Sequence, residues 1–138
     1  MILLDTSGLL AALDSAQRHH EESAAGLLEA KPPLLLSPFV LAELDYLLAR
    51  RVGETARMKL LAEVGRGAYQ LQPFTAQDVE QARTIIEGHA DLGISLADAS
   101  IAVLAAAHET RDVLTLDERH FRVLTVDGEP FRVLPVDG

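Results

Sequence analysis

Two acidic residues follow apolar runs that are typical of buried β-strands. Asp5 ends the opening segment "MILLD", and Asp117 closes "VLTLD". In an open parallel sheet, ligands bind beyond the carboxyl ends of the strands, where the following loops and helix N-termini converge. We therefore expect both carboxylates at that edge of a sheet. Asp112 begins the same strand as Asp117 and is expected at the opposite edge, which excludes it from the site.

Glu43 lies inside a predicted helix, "SPFVLAELDYLL". At about 100° per residue it shares a face with Phe39, Val40 and Leu47. A carboxylate on an apolar face is costly unless another charge compensates it. Asp45 points to the far side and can be solvated, so the sequence singles out Glu43.

Asp98 lies in the first turn of the most apolar helix that the sequence predicts. Asp98 and Ser100 are the only polar residues between Leu96 and Ala107. A helix that is apolar nearly all round is expected to be buried. If this helix leads into strand "VLTL", its first turn lies near the strand-end edge, beside the other acids.

A hard divalent cation is one cause that explains all four acids. Carboxylates without Cys or His suit Mg²⁺ or Mn²⁺, which favour oxygen ligands. Such a cation activates water and stabilises the charge on a phosphodiester under in-line attack. Three hydroxyl residues are placed to orient its water or to bind a phosphate at a helix N-terminus, or simply to cap local structure: Thr6, Ser7 and Thr115.

Each acid also has a structural interpretation. Asp5 and Asp117 each precede a helix that their side chains can cap. Glu43 can pair with Arg50 two turns later. One shared site is nevertheless a simpler explanation than four separate causes.

The structural interpretation of Asp98 is a variant capping box with Ser95, in which the acid accepts from the cap residue's backbone N–H. Thr75 and Asp78 have the same spacing, but they stand at a polar helix start. At that second position we expect capping alone.

Alternating strands and helices predict how these residues are positioned. Four strands are expected from the short apolar runs "ILL", "LLLS", "YQLQPF" and "DVLTL". Helical segments between them imply crossover connections and a mainly parallel sheet of four to five strands, covered on both faces. No linker interrupts the chain, so we expect a single domain over residues 1–138. A near-repeat at the end, "FRVLTVDG" and "FRVLPVDG", predicts two short edge strands around a turn.

Composition excludes several classes of protein. The chain has 49% hydrophobic residues, a net charge of -9 and no cysteine, which rules out disulfides and thiol chemistry. The negative charge argues against broad, sequence-independent binding of nucleic acid. No apolar segment approaches the roughly 20 residues of a membrane span, and the opening does not resemble a signal peptide. We expect a cytoplasmic protein without membrane contact.

Histidines do not indicate a site in the sequence. The segment "HHEES" resembles the start of a zincin helix, but Ala24 stands where the second histidine is required. His89, His108 and His120 show no ligand spacing. No Gly-rich phosphate loop or G-x-S-x-G elbow is present either.

The acidic segments resemble the four motifs of PIN-domain ribonucleases, in particular the VapC-type toxins of type II toxin–antitoxin systems. They are "LLDTS", "SPFVLAELDYLL", "ISLADASIAVLA" and "LTLDERHF", in this order. The resemblance implies a PIN-like three-layer α/β/α sandwich with four catalytic, metal-binding acids: Asp5, Glu43, Asp98 and Asp117. It also implies endonucleolytic cleavage of tRNA, rRNA or mRNA that depends on Mg²⁺ or Mn²⁺.

The same resemblance implies partners. These are a cognate VapB-type antitoxin and a second copy in a homodimer, with a heterotetramer or larger assembly when the antitoxin is bound. A basic antitoxin segment suits an acidic cleft. Four basic residues are candidates for RNA binding and equally fit solvated helix ends or ion pairs: Arg50, Arg51, Arg57 and Arg119.

Two other functions stay open at this point. One is a non-catalytic PIN-like binding module, and the other is a metal-dependent DNase or phosphatase that uses the same site. The complete set of acids favours the nuclease, because a binding module does not need four clustered carboxylates. The fold alone does not decide between them.

Overall fold

A computed structural model describes residues 1–138 and shows a five-stranded parallel sheet, seven helices and a two-stranded hairpin. The elements in chain order are β1 (Ile2–Leu4), α1 (Thr6–Leu13), α2 (His20–Glu29), β2 (Leu34–Leu36), α3 (Pro38–Arg51), α4 (Glu54–Gly65), β3 (Gln70–Leu71), α5 (Ala76–Gly88), α6 (Leu96–His108), β4 (Asp112–Leu114), α7 (Glu118–Phe121), β5 (Thr125–Val126), β6 (Glu129–Pro130) and β7 (Arg132–Leu134).

The sheet has the strand order β3-β2-β1-β4-β7, and every neighbouring pair is parallel. All carboxyl ends therefore point to one edge. The first strand lies at the centre, where Leu3 is in register with Leu35 on one side and Val113 on the other. The residues that follow β1 and β4 are thus neighbours, and the predicted mainly parallel sheet is confirmed.

Helices flank the sheet and give the three-layer arrangement expected from the sequence. Helix α1 packs against α2, α5 packs against α6, and α3 contacts α1, α4 and α6. The apolar helix α6 contacts β1 and buries every residue from Ala97 to Ala105. No helix in the structure combines the length and the apolar character that crossing a membrane requires.

Gly8 allows α1 to lie directly on the end of β4. A Cβ atom at this position would collide with the Leu114 carbonyl group and stand 2.9 Å from the Thr115 backbone nitrogen. Only a glycine permits so close an approach. The contact brings Ser7 at the start of α1 next to the residues that follow β4.

The near-repeat at the end of the chain adopts two different structures. The second copy forms β7, the edge strand beside β4, as predicted. The first copy begins at the end of the short helix that Asp117 caps and then forms β5, which pairs with β6 in the hairpin outside the main sheet. Phe121 and Phe131, equivalent in the two copies, are both buried and pack edge to face at 5.4 Å. Both copies thus contain a short strand, and only the strand of the second copy lies at the edge of the main sheet.

Candidate active site

The four acids line one cleft at the carboxyl edge of the sheet. It has a volume of about 290 Å³, and Asp5, Glu43, Asp98 and Asp117 all contribute to its wall. Asp112 lies at the opposite edge and pairs with Arg132, as its place at the start of β4 predicts. The larger cavity of about 640 Å³ at that opposite edge holds Asp112 but none of the four acids.

Asp5 is the most deeply placed of the four carboxylates. It lies between β1 and α1, is 4% exposed and makes no ion pair. Its side chain does not cap α1, so the capping interpretation is wrong. Instead, the hydroxyls of Thr115 and Ser7 donate to Oδ2 at 2.6 and 3.0 Å.

The hydroxyls of Ser7 and Thr115 also fix the backbone that follows β4. The Ser7 hydroxyl accepts from the Leu116 N–H at 2.9 Å, and the Thr115 hydroxyl accepts from the Asp117 N–H at 2.9 Å. The two hydroxyl oxygens lie 3.1 Å apart. One small network therefore holds Asp5 and the Asp117 backbone in a fixed relation.

Burial raises the pKa of Asp5 to about 6. The hydrogen bond from Thr115 opposes this shift, and the nearby Asp98 carboxylate adds to it. Ionisation of this acid therefore lowers the stability of the folded protein, because no cationic side chain neutralises it. A buried acid of this kind is a candidate for a functional group.

Asp98 combines a structural role with a place in the cleft. It forms the predicted capping box, in which its side chain accepts from the Ser95 N–H and its own N–H donates to the Ser95 hydroxyl. Burial is the main cause of a raised pKa for Asp98. Asp78 forms the same box with Thr75 but is only partly buried, so capping does not require the burial of Asp98.

His120 lies beside the cleft and forms a cluster with two of its acids, which the sequence spacing of the histidines did not indicate. Its Nδ1 lies 3.0 Å from Oδ2 of Asp98 and 2.9 Å from Oδ2 of Asp117. One ligand atom from each of the three residues lies within 4.8 Å of the others. Asp117 caps α7 by accepting from the His120 N–H. The sequence signal that could have indicated this contact is the histidine three residues after the capping acid, on the same side of a helix.

Glu43 reaches the cleft for a different reason from the one expected. It is exposed, whereas Asp45 is partly buried and pairs with Arg57. The reason is that α3 buries the line Val40, Leu44 and Leu48, and Glu43 stands at its margin. The argument from buried charge was therefore wrong, although the residue lines the predicted cleft.

The arginine candidates separate into two groups. Arg51 lines the cleft beside the acids, and Arg119 is exposed in α7 without an ion pair. Arg57 bridges Asp45 and Glu54, and Arg50 stacks over the Tyr46 ring at 5.2 Å instead of pairing with Glu43.

The residues of the cleft fit a divalent cation. Carboxylate oxygens predominate, and neither Asp5 nor Asp98 forms an ion pair with an arginine or a lysine. Thr6 also lines the cleft, and its hydroxyl is buried without a hydrogen-bond partner. Buried polar groups are normally satisfied, so a ligand bound in the cleft would remove several unfavourable features at once.

The sequence matches known proteins along most of its length. Residues 2–125 match the family model of the PIN domain. The chain is 42% identical over 120 residues to Ribonuclease VapC26 of Mycobacterium tuberculosis, and the match spans 87% of this chain and 89% of that protein.

Two solved structures are similar in fold. The first is VapC20 of Mycobacterium tuberculosis, a Sarcin-Ricin loop cleaving toxin, with a TM-score of 0.83, 23% identity, and coverage of 94% of this chain and 100% of that one. The second is FitAcB from Neisseria gonorrhoeae, with a TM-score of 0.64, 27% identity, and coverage of 95% and 96%.

Proposed function

The chain belongs to the PIN-domain family and, within it, to the VapC ribonucleases, and on this premise we propose that it is a metal-dependent endoribonuclease toxin controlled by a cognate antitoxin. The observation that carries the proposal is the convergence of Asp5, Glu43, Asp98 and Asp117 on one cleft. The segments after β1 and β4 and the helices α3 and α6 supply these acids, so their proximity depends on the whole fold.

Asp5, Asp98 and Asp117, with Glu43 at the margin, would hold Mg²⁺ or Mn²⁺. When bound, such a cation lowers the pKa of a water molecule and stabilises the charge of a phosphodiester under attack. Ser7 and Thr115 keep the Asp5 carboxylate in one orientation. Both hydroxyls donate to Oδ2, so Oδ1 of Asp5 receives no side-chain hydrogen bond and is available to a ligand.

RNA binding requires positive charge near an acidic cleft. Of the four candidate arginines, Arg51 at its wall and the exposed Arg119 are the two that are not engaged elsewhere. We propose that they contact phosphates on either side of the scissile bond. A basic segment of the antitoxin would compete for the same negative surface, and a homodimer would place two such clefts in one assembly.

Cleavage of total bacterial RNA by purified, antitoxin-free protein tests the proposal. The reaction is run with Mg²⁺ or Mn²⁺, with EDTA, and with Asp98→Asn, and the new 5′ ends are sequenced. We expect discrete cuts that disappear with EDTA and in Asp98→Asn. The matched control is Asp78→Asn, which removes the acid of an identical capping box outside the cleft.

The outcomes separate the competing functions. Loss of cleavage in Asp98→Asn but not in Asp78→Asn assigns the effect to the cleft. Equal loss in both variants would indicate a capping effect on stability. No cutting of RNA under any metal condition would favour the binding module, and cutting of DNA alone would favour the DNase.

A further inference from the structure

The imidazole of His120 is fixed in one orientation by a contact outside the acid cluster. Its Nε2–H donates to the Leu92 carbonyl oxygen at 3.0 Å. A carbonyl accepts only, so Nε2 carries a hydrogen, and Nδ1 is the ring nitrogen left to bind another group. That nitrogen, Nδ1, points at the carboxylates of Asp98 and Asp117.

Nδ1 of His120 is buried but has no hydrogen-bond partner. Two carboxylate oxygens lie 3.0 and 2.9 Å away, but neither contact has the geometry of a hydrogen bond. Nδ1 and one oxygen of each carboxylate therefore lie within 4.8 Å of one another. Such an arrangement is unfavourable unless a positive charge lies between them.

A second unsatisfied group belongs to a residue of the cleft wall. Thr6 is 7% exposed and lines the cleft with Asp98 and Asp117, and its buried hydroxyl has no hydrogen-bond partner. Two buried polar groups without partners, on elements far apart in the chain, indicate a ligand in this cleft. The cluster is thus more than a group of neighbouring acids.

The distances between these atoms match those between neighbouring ligands of a small cation. For an octahedral ion with ligands at about 2.1 Å, adjacent ligand atoms lie about 3.0 Å apart. The two distances from Nδ1 of His120 are 3.0 and 2.9 Å. We propose that Nδ1 of His120 is a nitrogen ligand in a mixed site with Asp98 and Asp117, and that it makes the cleft prefer Mn²⁺ to Mg²⁺.

The preference follows from the type of ligand. Mg²⁺ strongly favours oxygen, whereas an imidazole nitrogen suits later first-row divalent ions and is tolerated by Mn²⁺. This inference rests on the proposed function, since it places the cation in the nuclease cleft. It adds a ligand of another chemical class to the acids and sets the choice of metal.

Electron paramagnetic resonance of the Mn²⁺-loaded protein tests the assignment directly. Spin-echo modulation reports ¹⁴N nuclei bound to Mn²⁺, and the signal of free Mn²⁺ gives the affinity. We expect ¹⁴N modulation in the wild type and in the control His19→Asn, whose histidine is exposed and outside the cleft. The modulation should be absent in His120→Asn.

The affinities give an independent readout. We expect His120→Asn to weaken Mn²⁺ binding by about tenfold or more, and Mg²⁺ binding by less than about threefold. Bound Mn²⁺ without ¹⁴N modulation in the wild type, or no Mn²⁺ binding at all, would overturn the inference. The wild-type spectrum decides this even if the variant is unstable.

A cleavage assay with RNA, run on the same samples, separates this inference from the proposed function. EDTA-sensitive cleavage with no nitrogen ligand would leave the nuclease standing and remove the role of His120. A nitrogen ligand in a protein that cuts no RNA would support the metal site and reject the ribonuclease.

Discussion

The Thr115 hydroxyl donates to the Asp5 carboxylate at 2.6 Å, although the two residues are 110 positions apart. The bond connects the end of β1 to the residue that follows β4, at the centre of the sheet. Thr115 is fully buried and its oxygen also accepts from the Asp117 N–H. One hydroxyl thus links two of the four acids of the cleft.

Thr115→Val should shift the pH dependence of cleavage upward. The hydrogen bond from Thr115 lowers the pKa of Asp5 against the effect of burial, so its loss raises that pKa further. Because protons compete with the cation for the carboxylate, we expect a rate about tenfold lower at pH 6.5, consistent with the loss of one hydrogen bond to a charged group. At pH 8.5 the loss should be much smaller.

Thr115→Ser is the matched control, since it keeps the hydroxyl. It should retain the wild-type pH profile. An equal loss of rate at every pH in Thr115→Val would contradict the explanation and indicate a general structural defect.

Asp5→Asn should abolish cleavage and yet stabilise the metal-free protein at neutral pH. The folded-state pKa of Asp5 is about 6 against an ordinary value of 3.8, so ionisation of this acid opposes folding. The penalty is absent below about pH 4, grows between pH 4 and 6, and is complete above pH 6. At full size it corresponds to about 3 kcal/mol.

Urea unfolding in EDTA at pH 4 and pH 7.5 measures this effect. We expect the free energy of unfolding of Asp5→Asn to exceed that of the wild type at pH 7.5, with the two values converging near pH 4. A variant that is less stable at pH 7.5 would show that the ionised carboxylate contributes to the fold.

The sequence predicted the position of the strand-end acids because that position depends on topology. Asp5 and Asp117 follow neighbouring parallel strands, and a parallel sheet brings such residues to one edge. Asp98 was predicted from burial, which the apolar helix α6 confirms. These inferences needed only the order and type of the elements.

Glu43 and His120 show where prediction from the sequence fails. The face of α3 that is buried depends on how the helix packs, and a small rotation placed Asp45, not Glu43, in the partly buried position. His120 meets Asp98 only because α7 lies beside the start of α6. Contacts between side chains of separate elements are set by packing, which periodicity does not specify.

Gly8→Ala should destabilise the protein strongly. The added Cβ would lie 2.6 Å from the Leu114 carbonyl carbon, so α1 must move away from β4. We expect the free energy of unfolding to fall by about 2–4 kcal/mol, in the range of severe steric defects.

Gly65→Ala in α4 is the matched control, since its Cβ would meet no atom within 4 Å. That change should be neutral or stabilising by up to about 1 kcal/mol, and equal destabilisation by both would contradict the close-approach argument.

Arg51→Ala and Arg57→Ala should have different effects, although the two residues lie close in sequence. Arg51 stands at the cleft wall, and Arg57 is held between Asp45 and Glu54. We expect Arg51→Ala to raise KM for RNA by about tenfold at low salt and to reduce the salt dependence of cleavage, because a phosphate contact contributes through counterion release. Arg57→Ala should leave KM unchanged and lower stability by at most about 1 kcal/mol.

The two variants are compared by steady-state cleavage of one RNA at about 50 mM and about 200 mM salt, a range over which phosphate contacts weaken strongly. A raised KM in Arg57→Ala with none in Arg51→Ala would show that RNA approaches over the α3–α4 surface and not along the cleft wall.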